Sequence, residues 1–143
     1  MDHIAIMKKG LGSIEDIVAG IKGIESRWMK RKIVPWDKVR DGDTIYFKYS
    51  GQPIIARARV RVVQQFELND EVRRRVIEEY GGRGRINLRD KNPDSEFYRT
   101  KNYCVLVSLV EAVNVEPVEI TLRAYGSAWF VLEKGIERVK KAA

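Results

Sequence analysis

The longest regular pattern in the chain is a period-two alternation over 54–66. Ala56, Ala58, Val60 and Val62 fall on one side and Arg57, Arg59 and Arg61 on the other. Successive side chains of a strand point to opposite faces, so this segment is expected to be a half-buried strand. Residues 44–49 repeat the pattern, with Ile45 and Phe47 set against Thr44, Tyr46 and Lys48. The two runs are joined by the tight-turn sequence Ser50-Gly51-Gln52-Pro53. A short first strand is expected over 3–7, an extended segment over 23–28, an apolar strand over 103–115, and two final strands over 119–123 and 127–133.

Helical spacing appears twice. Ile14, Ile17, Val18 and Ile21 share one face of a helix expected over 14–21, capped by Ser13 and ended by Gly20 and Gly23. A second helix is expected over 70–80, with Asn69 as its cap, Asp70 and Glu71 in its first turn, and Val72, Val76, Ile77 and Tyr80 on its buried face. Its Arg73-Arg74-Arg75 run reads as a solvated face supported by Arg74–Glu78 and Arg75–Glu79 pairs. Residues 82–92, with Gly84, Arg83, Arg85, Arg89 and Asp90, read as a mobile basic loop. A short helix is expected within 93–101, and the basic tail after Lys134 is expected to fray. Strands outnumber helices, so the order predicts a mixed α+β chain: a small β-barrel of about five to six strands with two or three flanking helices. Residues 1–143 are read as a single domain.

Composition narrows the chemistry. With 143 residues, 44% hydrophobic and 33% charged, the chain is long enough to bury a core without covalent staples. One cysteine, Cys104, and one histidine, His3, leave no internal disulfide and no structural zinc site. They also argue against classical triads and metal-dependent hydrolysis, so no metal and no cofactor are expected. No apolar run approaches the roughly 18 residues of a membrane span and no signal peptide is visible, so a cytoplasmic protein without a membrane partner is expected.

Charge adds a direction. The formal net charge is +7, and seven of the basic residues (Lys22, Arg27, Lys30, Arg31, Lys32, Lys38 and Arg40) fall within 22–40 against Glu25 and Asp37. Clustered cations attract polyanions, although such a charge also serves solubility on an ordinary enzyme. The Arg57, Arg59 and Arg61 stripe runs about 13 Å at a strand rise of roughly 3.3 Å per residue. It suits a phosphate backbone and equally suits cross-strand pairing with Glu111, Glu116 or Glu119.

One constellation resembles a known family. Gly20-x-Lys22-x-x-Glu25-x-Arg27 follows the short helix and precedes the Gly42-Asp43-x-Ile45-x-Phe47-Lys48 turn and strand and then the Ala-x-Ala-x-Val strand. This order resembles the ASCH (activating-signal-cointegrator homology) family of the PUA-like superfamily. The likeness is good over 4–66 and weaker over 103–133, with 67–101 as a variable helical and basic-loop insertion. The resemblance implies a PUA-like barrel that binds RNA, or a nucleotide-like ligand, in a cleft around the motif. In that reading Arg27, Lys30, Arg31, Lys48, Arg57, Arg59 and Arg61 hold the backbone of a single-stranded or irregular RNA, and Lys22 and Glu25 line a pocket for one base. Trp36, with Trp28, Tyr46 and Tyr49, is a candidate stacking surface; Trp129 and Phe130 read as core.

The same resemblance keeps an enzyme reading open. One branch resembles an acetylcytidine amidohydrolase whose motif lysine works beside a threonine three residues on; here Glu25 stands at that place. A ribonuclease reading would draw on Lys22, Tyr46 and Lys48, with Glu25 beside them. The alternative structural reading of Lys22, Glu25 and Arg27 is an internal ion network that fixes the helix to the barrel. A protein-interaction module would need an exposed apolar patch, and none is visible in the sequence.

Overall fold

The computed structural model describes residues 1–10, 14–123 and 126–142. The alternating segments become strands β3 (Thr44–Tyr49) and β4 (Ile54–Glu67), which pair antiparallel. They sit within one six-stranded sheet together with β1 (Asp2–Met7), β2 (Ile24–Met29), β5 (Tyr103–Val118) and β6 (Trp129–Leu132). The strand order is β2-β5-β4-β3-β1-β6, antiparallel except for the β1–β3 pair. Among the described residues three α-helices accompany the sheet: α1 (Ile14–Val18), α2 (Asp70–Tyr80) and α3 (Glu96–Arg99).

The sheet curls into a half-barrel. The long β4–β5 ladder shifts register between Ile54 and Ala56, between Arg57 and Arg59, and between Val60 and Val62. Each irregularity adds local twist, and together they bend the ladder. Ala5, Met29, Phe47, Ala58, Val107 and Trp129, drawn from all six strands, meet in one buried cluster on the concave side. The convex side is covered in two places. Ile24, Cys104 and Leu106 pack under Val76 of α2 and Ile86. Ile4, Ile54 and Leu132 pack under Ile120 and Ile136. Cys104 is fully buried, and burial pushes its thiol upward, so it belongs to the core rather than to redox chemistry.

Of the polar residues buried among the described residues, His3 is the most deeply enclosed. His3 has 0% exposure, its Nε2 lies 2.8 Å from Asp43 Oδ2, and its Nδ1 accepts a hydrogen bond from Trp129 Nε1 at 3.0 Å. Indole N–H can only donate, so Nδ1 is unprotonated and Nε2 carries the hydrogen. Burial lowers the His3 pKa, and the Asp43 contact opposes this only in part. Burial alone would raise the Asp43 carboxyl, but His3 and the Arg40 amide hold it below its ordinary value.

Several expectations are corrected. α1 ends at Val18 rather than at 21, because Gly20 adopts φ 77° and turns the chain; Ser13 lies outside the described residues. Arg73 is not solvated. At 5% exposure it donates to Tyr98 O and Lys101 O, both at 2.9 Å, and so ties α2 to the segment around α3. Arg75 pairs with Glu71 rather than Glu79. Residues 82–92 are not a free loop, since Ile86 is buried and Leu88 packs beside it. Residues 119–123 form no strand, and their β pairing is limited to the Ile120–Lys140 bridge. The tail does not fray through 136–140, because a 3₁₀ turn at Ile136–Arg138 buries Ile136. Among the described residues no helix is long and apolar enough to cross a membrane.

Candidate ligand-binding site

The motif begins where α1 ends. After the Gly20 turn, the Ile21 and Lys22 amides both donate to Asp16 O, at 2.9 and 3.1 Å. Gly23 then passes the 82–86 turn so closely that a Cβ at this position would lie 2.6 Å from Gly84 O. The Gly23 and Ile24 amides donate to Arg85 O at 2.9 and 3.0 Å, and Gly84 N donates to Ile21 O at 2.7 Å. The segment read as a mobile loop is therefore strapped along the start of β2.

From there β2 alternation directs Glu25 and Arg27 to one side and Ser26 and Trp28 to the other. Glu25 is 4% exposed and paired on both oxygens: Lys22 Nζ lies 3.2 Å from Oε2 and Arg27 Nε lies 3.5 Å from Oε1. Neither Glu25 Oε2 nor Arg27 Nε makes an aligned hydrogen bond. The carboxylate thus retains acceptor capacity although its charge is balanced.

Lys22 and Glu25 line a cavity of ≈ 390 Å³. Its other walls come from Ser26 and Trp28 on β2, from Ile86, Asn87, Leu88, Arg89 and Asp90, and from Phe97 and Tyr98 of α3. Trp28 and Tyr98 meet edge to face with centroids 4.9 Å apart, and Phe97 meets Tyr98 at 5.0 Å. The Tyr98 hydroxyl donates to Asp90 O at 3.1 Å, and burial pushes its pKa up to about 12. Tyr98 is therefore a fixed, neutral wall at ordinary pH. The cavity combines an aromatic, apolar side with a buried ion pair and a charged rim, the composition of a small-ligand site. Sequence reasoning missed Phe97, Tyr98, Asn87, Arg89 and Asp90. The Phe97-Tyr98 pair within the expected 93–101 helix was the available signal.

The remaining candidates lie elsewhere. Arg27 turns toward the unpaired gap between β2 and the β1–β6 pair. Its guanidinium donates to Ala128 O and Ile6 O, both at 3.3 Å, and lies 5.2 Å from the Trp129 ring centroid. Lys30 and Arg31 are exposed just beyond β2. Trp36 packs edge to face on Tyr103 with centroids 5.1 Å apart, under Lys32. Tyr49 is buried, its hydroxyl accepting from Ile14 N and donating to Glu15. Lys48 is 8% exposed; burial lowers its pKa, opposed by Glu119.

Tyr46, Arg57 and Arg59 line a separate open groove of ≈ 470 Å³ on the convex side of β3 and β4. Arg59 pairs with Glu111 at 3.5 Å, whereas Arg57 and Arg61 have no ion pair among the described residues. The cross-strand pairing expected of the stripe is thus met at Arg59. Two strands separate β3 from β2 along the ladder, so Tyr46 and Lys48 do not line the Lys22 cavity. Among the described residues no group of three or more His, Cys, Asp or Glu gathers to hold a metal.

No protein-family profile and no curated protein matches the chain. Solved structures do. An ASCH protein from Zymomonas mobilis superposes with a TM-score of 0.66 at 15% identity, covering 93% of this chain and 88% of that one. A tyrosine-to-phenylalanine variant of it gives 0.68 at 13% identity, covering 93% and 91%. These identities speak to architecture, and the half-barrel with its three helices has the fold of the ASCH domain.

Proposed function

We propose that this chain binds single-stranded or irregular RNA and seats one unpaired base in the cavity at Lys22 and Glu25. The observation that carries the reading is the cavity's composition: an ion pair of 5–7% side-chain exposure at the β2 edge shares its lining with the aromatic side chains of Trp28, Phe97 and Tyr98. Flat, unstacked bases are recognised by aromatic surfaces together with hydrogen bonds to their edges. Glu25 Oε2 makes no hydrogen bond beside its Lys22 ion pair and is closed to solvent, so a small turn of the side chain would offer it to an amino group on such an edge. The volume of ≈ 390 Å³ lies near the lower end of ordinary ligand sites, room for a nucleoside-sized group rather than an oligonucleotide. The rest of the strand would then lie on exposed cations: Arg89 lines the cavity, Arg85, Lys91 and Arg99 adjoin lining residues in sequence, and Lys30 and Arg31 follow at the end of β2. Arg57 and Arg61 offer a second, more distant set. The resemblance to ASCH proteins supports RNA as the polymer.

Two measurements test this. If about four to six cations meet phosphates, the logarithm of the binding constant falls with the logarithm of salt at a slope of roughly −3 to −4. Lys22→Gln is expected to weaken binding by roughly tenfold, a change of about 1.4 kcal/mol, with little change in melting temperature, because the glutamine amide can still donate to Glu25 while Arg27 balances its charge. No binding at low salt, or a flat salt response, rejects the reading. A large fall in melting temperature with unchanged affinity would instead mark Lys22–Glu25–Arg27 as a purely structural network.

A further inference from the structure

The segment from 30 to 40, between β2 and β3, combines a braced backbone with exposed aliphatic side chains. Its backbone is held firmly. Asn102 Nδ2 donates to Lys30 O at 3.0 Å, Trp36 N to Ile33 O at 2.8 Å, and Lys38 N to Pro35 O at 2.9 Å. Asp37 and Gln65 exchange two hydrogen bonds, Asp37 N to Gln65 Oε1 at 2.7 Å and Gln65 Nε2 to Asp37 Oδ1 at 2.8 Å. Pro35 and Val39 are anchored in the core. Yet the adjacent side chains of Ile33 and Val34 stand 58% and 41% exposed at its tip. Lys30, Arg31, Lys32 and Lys38 flank them in sequence, all exposed, with Lys32 paired to Glu67 at 3.5 Å and Asp37 the one exposed acid between them. Two neighbouring aliphatic side chains held in water on a well-braced loop, flanked in sequence by cations, suit a partner that is anionic outside and apolar within.

We infer that Ile33 and Val34 form a wedge that enters an opened base step of RNA, at a bulge or loop, while the flanking lysines and Arg31 hold the adjoining phosphates. This inference rests on the RNA-binding reading and adds the kind of RNA: a helix interrupted by an unstackable step. Aliphatic side chains inserted between bases replace part of the lost stacking, and bulged steps are the least costly to open. The wedge follows directly on β2, whose earlier residues line the base cavity. From Glu25 to Lys30 is five residues, about 17 Å at the strand rise, so one short stretch of RNA can meet both.

A lipid surface has the same charge and apolarity but fits less well. Ile33 and Val34 together offer roughly half the carbons of a myristoyl chain, which alone gives only marginal membrane binding. The one aromatic of the loop, Trp36, is packed on Tyr103 and does not project as an interfacial anchor.

The test uses an RNA hairpin with a single-nucleotide bulge and 2-aminopurine beside it, an unstructured oligonucleotide of equal length, and vesicles rich in phosphatidylserine. Wild-type protein is expected to raise the 2-aminopurine fluorescence as the step unstacks. The double substitution Ile33→Ser/Val34→Ser is expected to abolish that rise and weaken hairpin binding by roughly tenfold, with the unstructured strand affected less than about threefold. Its melting temperature should be unchanged, since both side chains are exposed. Equal fluorescence and affinity in wild type and variant overturn the wedge while leaving the cavity reading intact. Vesicle binding lost in the variant, or a wild-type dimer that the variant converts to monomer, overturns it in favour of a membrane or a second copy. Absence of RNA binding by the wild type strikes the functional reading itself, and the wedge with it.

Discussion

Arg27→Ala is expected to lower stability by about 3 kcal/mol, which for a chain of this size moves the melting temperature by roughly 10 °C. The reason is where the side chain ends. β2 and β6 are the two edges of the sheet, and no backbone hydrogen bond joins them. Arg27 crosses between them with bonds to Ala128 O and Ile6 O and its guanidinium near the Trp129 ring. Removing it strips those carbonyls of a donor and also takes one cation from Glu25, a carboxylate that is 4% exposed. Breaking one partner from a buried pair costs more than the pair contributes, because the remaining charge stays desolvated. Arg27→Lys should recover part of the loss, since an ammonium keeps the charge but cannot span two carbonyls and a carboxylate as the planar fork does. Thermal melts of the three proteins decide the matter. A melting temperature within about 2 °C of wild type for Arg27→Ala would show that the edges are held without it.

Acid is expected to weaken the fold in a window set by one residue. His3 is the only histidine, fully buried, and its Nδ1 accepts from Trp129. A proton on Nδ1 would face the indole N–H, so the folded chain resists protonation, and burial lowers the His3 pKa below 6.5. The unfolded chain takes that proton near 6.5. Stability is therefore complete above about pH 6.5 and falls as the pH drops toward the folded value, with a slope approaching 1.4 kcal/mol per unit, roughly one proton's worth. Carboxylates begin to titrate only near pH 4, so between about 6.5 and 5 the slope belongs to His3. Urea midpoints measured from pH 8 to 5 should show it. His3→Gln should lower the plateau, because the fit between Trp129 and Asp43 is lost, and flatten the slope in this window. A wild-type midpoint constant from pH 7 to 5 would refute the assignment.

Much of the local architecture was legible from residue order alone. The alternation of Ile45 and Phe47 with their polar neighbours located β3, and that of Ala56, Ala58 and Val60 with three arginines located β4 and its buried face. Asn69 caps α2 as expected, its side chain accepting from Val72 N at 2.8 Å. The closeness of Lys22, Glu25 and Arg27 also follows from spacing, since a turn and one strand step bring them together. Each of these depends on contacts within a few residues, where backbone geometry has few choices.

What spacing could not decide was which distant segments the curled sheet brings together. Arg73 sits in an arginine run that reads as solvated, and becomes buried only because Tyr98 and Lys101 offer carbonyls from beyond the helix. Lys48 occupies a polar position of an alternating strand, yet the sheet leaves it 8% exposed. The cavity wall of Phe97 and Tyr98 comes from a segment separated by some seventy residues from the motif it faces. Arg27 finds Ala128 across 101 positions only because the half-barrel leaves two strand edges facing each other. Alternation assigns a side chain to a face, whereas its burial and partners depend on where the sheet bends and what folds back over it. That bend is set by register shifts in the β4–β5 ladder, which only the paired strands reveal.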